Sequence, residues 1–99
     1  MKINFTISLL DLEGNEIVYK NGKLTLKDTA LVALLGQVTG DDTVSVDTKV
    51  RCYELAVKIT ATPDCMMTPE ELAFIKGRIG QAWTPLIVGR SFEILNGTL

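Results

Sequence analysis

Histidine is absent from all 99 residues. Its absence removes Ser-His and Cys-His activation of a nucleophile, the commonest general acid–base, and every histidine-containing zinc site. Cysteine is nearly as scarce. Cys52 and Cys65 are the only two, thirteen positions apart, and do not make a metal site unaided. Neither GxxxxGK[ST] nor GxGxxG occurs; Gly77-Arg78-Ile79-Gly80 lies within a helical pattern rather than after a strand, which argues against a phosphate loop. No stretch approaches the ~18 consecutive apolar residues of a membrane span. Cationic residues are spread along the chain and the net charge is −2, so the clustered Lys and Arg of a nucleic-acid footprint are missing.

Two arrangements of acids remain, and both have structural readings. Asp41, Thr43, Ser45 and Asp47 place oxygens at alternate positions, as a calcium loop does. However, Val46 stands where the loop glycine belongs and Cys52 where the bidentate Glu belongs. Glu70 and Glu71 are adjacent, but a helix cap accounts for both. The inventory therefore points away from an enzyme and to a chain without metal or cofactor.

What is present is apolar. Hydrophobic residues make up 46% of the chain and the mean hydropathy is +0.24. Small domains carry much surface per volume, so some of these side chains must stay exposed or be covered by another chain. Homo-oligomerisation or a partner protein is the natural outlet. The two thiols read as reduced and cytosolic, Cys52 in a core and Cys65 in a loop beside Met66 and Met67, without a disulfide between them.

Along the chain, Ile3, Phe5, Ile7 and Leu9 alternate with Lys2, Asn4, Thr6 and Ser8, the period of a strand with one face on a core rather than of a secretory segment. Glu13-Gly14-Asn15 marks a turn. Glu16–Lys20 reads as a second strand, Asn21-Gly22 as a type I′ hairpin turn, and Lys23–Thr25 as the return. Residues 2–25 should thus form a small antiparallel meander. Thr25 and Asp28 then open a helix over 26–37, stopped by Gly36 or Gly40. After a polar loop, a helix over 47–60 carries Asp47, Arg51, Glu54 and Lys58 as a single narrow polar stripe, so it reads as central to the core; Pro63 prevents its extension. Thr68-Pro69-Glu70-Glu71 is a capping box with proline at the first helical position, starting a helix over 69–82. Gly77 and Gly80 weaken that helix and suggest close packing. Thr84-Pro85 repeats the device for a helix over 85–95, ended by Gly97. The expectation is a single α+β domain, residues 1–99: an N-terminal antiparallel β-hairpin or meander followed by a bundle of about four helices.

The tight junction of the last two helices raises a helix-turn-helix, but the final helix offers only Arg90 and Ser91 beside an acid, so it reads better as core or as an oligomer face. Trp83 closes the third helix as a core anchor or as an interface hot spot flanked by Arg78 and Arg90. Cys65, Met66 and Met67 form a second candidate contact surface, or a buried plug.

Several segments resemble small phage- and prophage-encoded proteins: Phe5–Ile17 with Asp11-Leu12-Glu13-Gly14, Leu24–Asp28, Arg51–Ile59, Thr68–Leu72 and Ile75–Gly89. The likeness covers most of the chain and lies in layout and capping motifs, so it carries over no functional residue. It implies a phage protein acting in the host bacterial cytoplasm or in the particle. Joined to the empty chemical inventory, the expectation is a non-enzymatic, self-associating protein that contacts a host or phage protein, inhibiting or redirecting a host factor, defence factors included. The alternatives are a head, neck or tail component of the particle, a nucleic-acid accessory protein, which the acidic balance disfavours, and capture of a small ligand at an oligomer interface.

Overall fold

A computed structural model describes residues 2–20, 22–36, 44–62 and 64–97. Among them, the order is β1 (Lys2–Asn4), β2 (Val18–Tyr19), β3 (Gly22–Lys23), α1 (Leu26–Leu35), α2 (Val46–Ala61), β4 (Asp64–Met66), α3 (Pro69–Ala82) and α4 (Pro85–Leu95). The fold class is α+β.

Local chemistry sets the helix ends. Thr25 Oγ1 accepts the Asp28 N–H at 3.2 Å, and Asp28 Oδ2 accepts the Thr25 N–H at 3.3 Å, so Asp28 completes a capping box as well as meeting the helix dipole. α1 stops at Leu35 because Gly36 turns out of the helix while its N–H still reaches Val32 O at 2.8 Å. A Cβ on Gly36 would lie 2.6 Å from that oxygen, which reserves the position for glycine. The expected extension to residue 37, the alternative stop at Gly40 and most of the polar loop, Asp41 and Thr43 included, lie outside the described residues. Ser45 caps α2 by accepting the Thr48 N–H at 3.2 Å. α2 ends at Ala61; Pro63 is outside the described residues. Thr68 and Glu71 form the anticipated box, at 3.1 and 2.9 Å. Thr84 precedes Pro85 as expected but makes no side-chain cap bond.

The β portion differs from a regular meander. β1 breaks after Asn4, whose Oδ1 accepts the Thr6 N–H at 2.9 Å, a local turn that competes with the ladder. β1 then pairs antiparallel with β4, Ile3 opposite Cys65, in a segment expected to be loop. The chain from Ile7 to Leu10 instead lies between two others: the Leu9 N–H donates to Leu24 O at 2.8 Å and Leu9 O accepts the Ile17 N–H at 3.1 Å. The hairpin is shifted by one position from the Asn21-Gly22 reading. β2 and β3 pair Tyr19 with Gly22, and Lys20 takes the positive φ of 55°; Asn21 itself is outside the described residues. Even so, alternation survives in burial: Ile3, Phe5 and Leu9 all face the core.

α1, not α2, is the central helix. It packs against α2, α3 and α4, and Leu26, Thr29, Ala30 and Ala33 are wholly buried, the last three small enough to admit close neighbours. Phe5, Leu9, Ile59, Ile75, Ile79 and Leu95 fill the space around it.

Gly77 and Gly80 do not serve close packing within the chain. Both are exposed, and a Cβ at either meets nothing within 4 Å. Each therefore costs α3 stability without local return. Gly77→Ala and Gly80→Ala are each expected to stabilise by roughly 0.5–1 kcal/mol, read as a higher urea midpoint at unchanged slope. A lower midpoint would contradict the open geometry.

Candidate functional site

Most of the contact residues expected from the sequence are built into the interior. Arg78 is buried on α3, and its Nε donates to Ala33 O of α1 at 3.0 Å. The Trp83 indole N–H donates to Thr29 O at 3.0 Å, and Tyr19 meets its ring edge-on with centroids 6.1 Å apart. Trp83 is thus a half-buried anchor at the helix junction. Arg90 clamps the N-terminal segment: Nε donates to Leu10 O at 3.0 Å, Nη2 to Asp11 O at 2.8 Å, and Nη1 to the Glu93 carboxylate at 3.2 Å.

Cys65 and Met67 are buried, because β4 is a strand whose alternate residues face inward. The Cys65 thiol lies beside two carbonyls at the end of α2, those of Lys58 and Thr62. Burial pushes this thiol above its ordinary pKa, against the pull of the Lys58 ammonium and with the repulsion of Asp64 and Glu71. It is therefore a poor nucleophile. Of the six residues, Met66 alone is largely exposed. The six do not gather into one surface.

The exposed apolar surface lies elsewhere. α2 buries Cys52, Leu55, Ala56 and Ile59 against the core. On another face Val46, Val50, Tyr53 and Val57 stand 74%, 50%, 63% and 48% exposed. These four repeat at spacings of four, three and four, one side of a helix. Leu35 at the end of α1, itself 61% exposed, lies beside the second half of this stripe. Leu35, Tyr53, Ala56, Val57, Thr60 and Ala61 line a shallow groove of about 290 Å³. The stripe ran unnoticed in the sequence, although its spacing is that of Asp47, Arg51, Glu54 and Lys58 displaced by one residue. α2 therefore carries two apolar faces, of which the core uses one.

No protein-family model, curated protein or solved structure matches this chain. Among the described residues, no group of three His, Cys, Asp or Glu side chains could hold a metal ion, and no helix is long and apolar enough to cross a membrane. The physical features of the α1–α2 face thus carry the functional reading.

Two contacts fix how α2 presents that face. The Arg51 guanidinium sits over the Phe74 ring of α3, 4.7 Å from its centroid. Lys58 Nζ bonds both oxygens of Glu71, at 3.0 and 3.2 Å. The Thr68 N–H, first, and the Lys58 ammonium hold the Glu71 carboxyl below its usual pKa. A folded-state pKa lowered in this way adds stability above the unfolded pKa, which is lost as pH falls through the folded value. Glu71→Gln is accordingly expected to cost about 1 kcal/mol at pH 7, a modest figure because Lys58 is partly exposed. The gap to the parent should narrow progressively as pH falls below the ordinary glutamate value of about 4.3 in parallel urea titrations. A gap that did not change with pH would assign the loss to geometry rather than charge.

Proposed function

We propose that this chain is a non-enzymatic protein that acts by protein–protein contact through the α1–α2 face. The supporting observation is the stripe Val46, Val50, Tyr53 and Val57, continuous with Leu35 and left in water by the fold. A contiguous apolar patch of this kind is the mark of a contact surface, whereas singly scattered exposed side chains are ordinary. The resemblance to small phage proteins is the ground for setting the contact in a bacterial host, with a host or phage protein as partner.

The test is capture from host lysate by immobilised chain, compared with Tyr53→Glu/Val57→Glu. Both positions are exposed, so the variant should retain its helical circular dichroism. The expected result is a captured protein that the variant loses. Capture of nothing by the parent, or equal capture by both, would sink the reading. A stoichiometric band in purified particles would make the contact one of assembly.

A further inference from the structure

We infer that the α2 stripe is covered by a second copy of this chain, the two α2 helices lying parallel and in register about a two-fold axis. This rests on the contact reading above and names the partner as the chain itself.

The spacing assigns the heptad positions. Val50 and Val57 occupy a; Val46, Tyr53 and Thr60 occupy d. The flanks carry the orientation. Lys49 lies at g on one side of the stripe and Glu54 at e on the other, both exposed, and neither takes part in an ion pair among the described residues. A parallel pair sets each Lys49 against Glu54 of the other copy, giving two equivalent bridges. An antiparallel pair centred on the stripe would set Lys49 against Ala56 and bring the two Glu54 carboxylates toward each other, so neither charge would find its opposite. Charge complementarity therefore selects the parallel pair. The stripe and Leu35 expose on the order of 500 Å² per copy, so complete cover of both would bury about 1,000 Å², the lower bound of a specific interface.

Sedimentation equilibrium of the full chain is expected to show a dimer at micromolar concentration. Tyr53→Glu should weaken it a hundredfold or more, by placing a charge at the centre of the seam. Lys49→Glu and Glu54→Lys should each weaken self-association roughly tenfold, and their mixture should restore pairing as a heterodimer. Val50→Cys reports orientation. Two parallel copies bring the new thiols together, and oxidised glutathione, taking up two electrons, should couple them into a covalent dimer, whereas the native thiols are buried. A strictly monomeric parent overturns the inference, as does a dimer in which Val50→Cys fails to couple. A monomer that still captures another protein loses this pairing but keeps the contact reading; a dimer that captures nothing does the reverse.

Discussion

Arg78→Met is expected to remove about 2–3 kcal/mol of stability, although an arginine on a helix would ordinarily be a surface residue. The reason lies in α1. The last four carbonyls of any helix lack intrahelical donors, and the negative end of the dipole favours a cation there. α1 has no basic residue in its last turn. Gly36 satisfies Val32 O, and Arg78 reaches across from α3 to satisfy Ala33 O. Methionine keeps the buried stem but leaves that carbonyl dry and unbonded. Arg78→Lys is not expected to rescue fully, since the planar Nε donor is lost. Urea unfolding with an unchanged slope checks the size. A loss under about 0.5 kcal/mol would return Arg78 to the surface and reopen its reading as a contact residue.

Phe5→Ala should be costlier still, about 3–5 kcal/mol, most of the margin of a small domain. Phe5 has no exposure, and its carbonyl accepts the Lys27 N–H of α1 at 2.9 Å. Its ring joins the irregular N-terminal segment to the helices. Alanine would leave a cavity that backbone held at both ends cannot collapse into. Thermal melting should fall by some 15 °C or more, and Phe5→Leu should recover most of the loss. A small shift for Phe5→Ala would mean that the N-terminal segment packs only loosely.

The helix starts were readable because their causes are local. Thr25 with Asp28 and Thr68 with Glu71 each settle a boundary within four residues. β4 was not readable, since Asp64–Met66 becomes a strand only through Lys2–Asn4, far away in the chain. The roles of the contact candidates were hidden for the same reason. Trp83, Arg78 and Arg90 are residue types that anchor interfaces, but here they bind carbonyls of Thr29, Ala33, Leu10 and Asp11, whose positions only the fold supplies. α2 shows a subtler failure. A narrow polar stripe implies a wide apolar arc, and the pattern alone assigns all of that arc to the core. The wheel could not show that α1 would cover one part and leave Tyr53 and Val57 in water.

The pairing of β1 with β4 has a consequence for the chain's birth. Ile3 meets Cys65 only after roughly sixty further residues have been added, and at ordinary synthesis rates of ~5–20 residues per second that takes several seconds. Throughout that interval Ile3 is without its partner strand, the condition in which nascent chains attract chaperones. Lys2–Asn4 thus waits longest for its partner among the described strands, and closure of this ladder follows translation of β4.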